Sequence, residues 1–256
     1  MKNPPRYMVF VVVTFSFYIL SLWVSLLPHE YAHSIVAWMY GYKSNPFDIH
    51  YGEFTWQNII FVHGINENVN YSLMNLRGDH FAMGLAAFAG PGIATVFMYA
   101  LSLLLLRAQS VKRHPYLFYF FCWVSVMNLA ELISYFVVRV FVEQDDSGTF
   151  EYAWGISPWI VFFIGIIILY FGVKYLYNTL LRELYLRLEL KSVLANALIL
   201  ILFTFTLFCH VAVRILLSPS GIFANVISAI FCIIAITLVI VYWPARYVTV
   251  PKAKSG

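Results

Sequence analysis

The chain has 256 residues, 62% of them hydrophobic and only 11% charged, with a formal net charge of +4. A mean hydropathy of +0.79 excludes a soluble globular domain and predicts an integral membrane protein. The basic excess is spread between apolar runs as membrane topology requires, so it implies no nucleic-acid partner.

Apolar runs occur near 7–27, 82–106, 116–142, 156–177, 193–217 and 222–243. Each approaches or exceeds the roughly 20 residues needed to cross a hydrocarbon core of about 30 Å. They predict an all-α polytopic fold of six helices in one integral membrane domain, 1–256. Lys2 and Arg6 precede the first run, but no small-residue cleavage site follows it, so it is expected to be retained. Pro28 removes one backbone hydrogen bond and predicts a kink or restart. Gly41 closes the segment in the manner of a helix C-terminus.

Directly after Pro28 comes His29-Glu30-Tyr31-Ala32-His33, an HExxH pattern. Positions i and i+4 share a helix face, so His29 and His33 can hold one zinc ion while Glu30 reaches a water beside it. The bland alternative is a pair of interfacial histidines with a surface glutamate. The apolar flanks Leu26, Leu27, Ile35 and Val36 argue against that, because ionisable groups at membrane depth are costly without a function.

The longest polar connection is about 41–80. Within it, Phe47 to Val62 is rich in β-branched and aromatic residues and predicts a short hairpin or re-entrant strand pair. His50, His63 and His80 have no diagnostic spacing and are expected at the surface or interface. The second run carries Gly84-Leu85-Ala86-Ala87 and Gly90-Pro91-Gly92, which predict close backbone approach, here to an unwound substrate. The third run contains Asn128 and Glu131, and an acidic connection from Glu143 to about Glu151 contains Asp145-Asp146-Ser147-Gly148. The segment 174–191 reads as a membrane-surface helix extension. Cys122, Cys209 and Cys232 read as small buried hydrophobes and His210 as an interhelical hydrogen-bonding group.

A catalytic zinc takes three protein ligands and an open position. Asp146, its neighbour Asp145 and Glu131 are the candidates for the third. At about 1.5 Å per helical residue, His29 and His33 lie at roughly 33 and 39 Å from the inner end, Glu131 at roughly 24 Å, and Asp146 at roughly 46 Å on a straight helix. Depth alone does not choose. A loop can bend back whereas a helix cannot, which favours Asp146 and leaves Glu131, with Asn128, as a supporting, substrate-facing or interhelical polar group.

If the N-terminus is cytoplasmic, twelve of the sixteen lysines and arginines fall on inner segments, and only Lys43, Arg77, Arg139 and Arg214 on outer ones. The bias predicts both termini inside and the HExxH toward the outer face.

These residues resemble the site-2 protease group, intramembrane zinc metalloproteases of the M50 type. In that family an HExxH on one core helix is joined by an aspartate from a later DG-type motif, with a small-residue GP motif on the helix between. Here HEYAH at 29–33, AGPG at 89–92 and DSG at 146–148 follow in that order, and the similarity covers roughly 20–160. The resemblance implies one Zn2+ per chain held by His29, His33 and Asp146, with Glu30 as general base. It further implies a catalytic core about 7–160 with accessory helices about 161–245, a β segment near Phe47–Val62, and a membrane-embedded or membrane-adjacent protein or peptide as substrate. The chain departs from the pattern in three places. Gly92-Ile93-Ala94-Thr95 follows the GP where an Asn is usual. Asn128 lies further back than the Asn that commonly precedes the aspartate. The site faces outward where many members face the cytoplasm. A zinc hydrolase acting on a lipid or small amphiphile, and a non-catalytic metal-binding scaffold, remain the alternatives.

Overall fold

The structure, a computed structural model, describes residues 4–62, 64–142, 145–190, 192–216 and 221–244. His63 and Glu143, and among the basic residues Lys2, Lys191, Arg246, Lys252 and Lys254, lie outside them. The described residues are all-helical, with no strands. Five helical segments are long and apolar enough to cross a membrane: Tyr7–Met39, His80–Arg107, Pro115–Phe141, Pro158–Leu188 and Ile222–Val241. The fifth expected span forms a shorter apolar helix, Val193–Cys209, that continues as His210–Leu216.

The first helix, α1 (Pro4–Met39), begins on two prolines, whose missing N–H groups cost nothing in a first turn. It runs through Pro28 without the expected restart. It ends as anticipated at Gly41, which takes φ +76°. There Gly41 N–H donates to Trp38 O and Tyr42 N–H to Ala37 O at 3.0 and 2.9 Å, a Schellman closure.

The connection to the next span holds two short helices, α2 (Trp56–Phe61) and α3 (Tyr71–Leu76). The expected hairpin over Phe47–Val62 is replaced by α2 and a single antiparallel bridge, His50 with Asn66. The cause is local hydrogen bonding. Thr55 caps α2, and the Asn58 side chain donates to Tyr51 O and Glu53 O and accepts from Gly64 N–H, which satisfies backbone groups a strand partner would otherwise take. The Trp23 indole donates to Ile59 O at 3.0 Å, so α2 folds back beside α1.

The second spanning helix, α4 (His80–Arg107), contains a π-helical turn at Ala89–Ala94. The third, α5 (Pro115–Phe141), is central: 83% of its apolar stretch is buried in the bundle, against 22 to 39% for the other four spans. Its Phe118, Tyr119 and Trp123 are fully buried, and Trp123 meets Phe203 edge-on at 4.6 Å. Outward residues such as Phe97, Phe163, Phe171, Ile233 and Ile236 are exposed, as helices facing hydrocarbon require. After π and 3-10 turns over Ser134–Phe141, the chain enters α6 (Asp146–Trp154), which packs along the first part of α4. The end of α1, the start of α4, the end of α5 and all of α6 therefore meet at one end of the bundle.

Candidate metal centre

His29 and His33 project from α1 onto the π turn of α4, and both are almost fully buried. Their ring orientation follows from what their Nδ1 atoms bind. His33 Nδ1 lies 2.6 Å from Ala86 O, which can only accept, so the ring carries its proton there. The Thr95 hydroxyl donates to Gly90 O at 3.0 Å, so the 3.1 Å contact with His29 Nδ1 is one in which the imidazole donates. Both neutral rings then turn their Nε2 lone pairs the same way.

Asp146 closes the group. Its Oδ2 lies 3.5 Å from each Nε2. Ser147, the next residue of α6, donates from its hydroxyl to Tyr135 O at 2.7 Å and draws the helix start back onto α5. This return brings Asp146 to the depth of the histidines, well below the straight-helix expectation.

These atoms fit a metal ion. One atom from each of His29, His33 and Asp146 lies within 4.8 Å of the others. Tetrahedral ligands about 2.05 Å from zinc are separated by about 3.3 Å, close to the observed contacts with Asp146. Three acceptors converge with no donor among them, and buried His29 Nε2 has no hydrogen-bond partner among the described residues. Room for the group comes from Gly90, where an added Cβ would lie 2.1 Å from His33 Nε2 and 2.7 Å from His29 Nε2.

Asp145 points elsewhere. Arg139 takes its carboxylate through Nε and Nη2, while the guanidinium lies over the Tyr135 ring at 4.3 Å. Tyr135 in turn stacks on His29 at 5.0 Å. Asp145 therefore supports the site through Arg139 and Tyr135. Glu131 lines a separate small cavity with Tyr18, Leu22, Thr206 and His210 and is not part of the metal-ligating group. His50 is exposed, its backbone paired with Asn66, and His80 meets the Tyr152 ring.

Glu30 is buried beside the two histidines. The Glu67 carboxylate lies near Glu30 and near the Tyr71 hydroxyl, close enough to act on both electrostatically. That hydroxyl lies 3.4 Å from His33 Nδ1. Burial and the Glu67 carboxylate push the Tyr71 phenol well above its ordinary value, so it remains a donor. Glu67, Tyr71, Thr95, Tyr135 and Arg139 carry no spacing signal and were not anticipated in these roles. The glycines expected to receive a substrate backbone are covered by the chain's own side chains: Gly84 by Trp154, Gly90 by the histidines, Gly92 by Phe88.

No family model, characterised protein or solved structure matches this chain. Fold and site together define an all-helical membrane protein with a His–His–Asp group, its histidines buried, that could hold a metal.

Proposed function

We propose that this chain is an intramembrane zinc metalloprotease of the site-2 type, hydrolysing peptide bonds in membrane-embedded or membrane-adjacent substrates. The observation that carries the reading is the convergence of His29 Nε2, His33 Nε2 and Asp146 Oδ2 on one point, with the Glu30 carboxyl beside it. One zinc ion bound there would lower the pKa of water and polarise a peptide carbonyl. Glu30 then accepts the proton of the attacking water and delivers it to the leaving amine, so no covalent enzyme intermediate is needed. Thr95 and Ala86 O hold the two rings in the tautomer that leaves Nε2 free. The burial of His29, His33 and Glu30 keeps bulk water from the reacting groups.

The finer topology belongs to the same reading. The continuation of Val193–Cys209 into His210–Leu216 supports a sixth crossing, and the twelve-to-four charge bias supports inner termini and an outward site. Zinc content and cleavage of helical peptides and lipids by purified protein test the function. Glu30→Gln should abolish peptide cleavage and keep zinc. Cleavage surviving that change would refute the mechanism, and turnover of lipids alone would replace the substrate class.

A further inference from the structure

The connection that follows α1 turns back and runs down one stripe of that helix. Ser34 Oγ donates to Pro46 O at 2.7 Å, and the Tyr31 ring meets Phe47 edge-on at 6.0 Å. The Tyr31 hydroxyl bonds the Tyr51 hydroxyl, and the Trp23 indole donates to Ile59 O at 3.0 Å. Trp23, Leu27, Tyr31 and Ser34 follow one another at helical spacing and share a face. Glu30 borders that face, three residues from Leu27 and four from Ser34.

These ties set a depth. From Ser34 to Trp23 the segment 46–59 descends eleven residues of α1, about 16 Å, and it ends six residues, about 9 Å, on the inner side of His29. Trp23 lies sixteen residues, about 24 Å, from Tyr7, where the span begins, and so inside a hydrocarbon core of about 30 Å. Tilting α1 would place it deeper still. At the same level α1 exposes Leu20 and Val24, and above the metal centre it exposes Ile35 and Trp38. Lipid-facing surface therefore extends along α1 on both sides of the Trp23 tie.

Non-helical backbone at membrane depth has to satisfy its own polar groups. Here the buried Asn58 side chain takes Tyr51 O, Glu53 O and Gly64 N–H, Thr55 Oγ1 accepts from Asn58 N–H, and Val62 N–H donates to Asn58 O. The outward side chains suit the same surroundings. Phe54 is 96% exposed and Trp56 76%, a costly display in water and an ordinary one in lipid. Glu53 is the last charged residue before them, and none occurs from 54 to 62.

We propose that segment 46–59 is a re-entrant strap inserted in the bilayer, with Phe54 and Trp56 against the acyl chains of the leaflet that holds the metal centre. Continuity with the exposed apolar surface of α1 makes hydrocarbon the occupant. The inner side of the strap covers α1 beside Glu30, so on that flank the metal centre meets protein before lipid. The inference needs the membrane-spanning fold and no hydrolase activity.

The test uses full-length protein in nanodiscs of zwitterionic lipid, with Cys122, Cys209 and Cys232 replaced by alanine. Nitroxide labels are placed through Phe54→Cys and Trp56→Cys, with Phe97→Cys on the exposed face of α4 as the lipid reference and Ser110→Cys in the connection after α4 as the aqueous one. Collision rates with oxygen, which concentrates in hydrocarbon, and with a neutral nickel chelate, which concentrates in water, are read by power-saturation spectroscopy. The labels are on exposed side chains, so folding should be kept; size-exclusion elution checks it, and each position tests the strap without the other. The oxygen-to-nickel ratio should exceed one at Phe54 and Trp56, as at Phe97, and fall below one at Ser110. A ratio below one at either strap position overturns the proposal by placing the segment in water. Exclusion of both reagents overturns it by making a second protein surface the occupant.

Discussion

Gly90→Ala tests the centre most directly, because its effect can be worked from geometry. The new Cβ would lie 2.1 Å from His33 Nε2, about 1.3 Å short of the 3.4 Å at which ordinary contact begins, and 2.7 Å from His29 Nε2. A Zn–N bond is about 2.0–2.1 Å, so the methyl group would occupy the space an ion needs. Relief by moving a ring is blocked on the far side, where His33 is bonded to Ala86 O and His29 to Thr95 and stacked on Tyr135. Displacing orienting partners alone costs roughly 10–100-fold in metal affinity, and a direct clash should cost at least that. The assay is zinc affinity by competition with a chelator in purified protein, with thermal unfolding and size-exclusion elution as controls for folding. A folded Gly90→Ala protein that binds zinc within about threefold of wild type would refute the assignment of this point as the metal position.

Thr95→Val keeps the shape of the side chain but removes the acceptor for His29 Nδ1–H, and should weaken zinc binding roughly 10–100-fold. Thr95→Ser should stay near wild type, and equal affinities in both would mean the hydroxyl does not orient the ring. Asp146→Asn should lose zinc, whereas Asp145→Asn should keep it while lowering stability by about 1–3 kcal/mol through loss of the half-buried Arg139 pair; zinc lost from Asp145→Asn and kept by Asp146→Asn would reverse their roles. Glu151, on α6, is buried, its Oε1 has no partner among the described residues, and burial pushes its carboxyl up to about 8 from 4.5. Between those values the folded chain holds a proton that the unfolded chain has released, so this group's contribution makes stability fall as pH rises through that window and level off above it. Glu151→Gln should flatten that part of the Tm-against-pH curve, and a slope equal to wild type would show that Glu151 is not its source.

What the sequence made legible is the part of the site carried by regular helices. His29 and His33 needed only i, i+4 periodicity, and the Gly41 stop needed only its positive φ. The third ligand was legible as a choice among Asp146, Asp145 and Glu131, and a depth ruler could not make it, because the ruler assumes a straight helix. The chain instead leaves α5 through π and 3-10 turns and folds back under the pull of Ser147 on Tyr135 O. Arg139 then separates the two aspartates, a contact that depends on the returned loop. Phe47–Val62 misled for a related reason. Its β-branched and aromatic composition measures fit to a pleated surface, while Asn58 and Thr55 had already satisfied the local backbone in another way.

The Ala89-Gly90-Pro91-Gly92 stretch shows how a motif read as small residues can act through helical phase. Pro91 has no N–H to give to the preceding turn, and the helix there opens into a π turn in which Thr95 N–H bonds Gly90 O, five residues back. In a continuous α-helix Ala94 would take that carbonyl, and each residue corresponds to about 100° of rotation. Thr95 would then be turned away from α1, His29 would lose the acceptor that fixes its tautomer, and Nε2 would no longer be reserved for the point shared with His33 and Asp146. Gly90 provides the space and Pro91 the register. The site depends on both because one without the other leaves either a blocked position or an unoriented histidine.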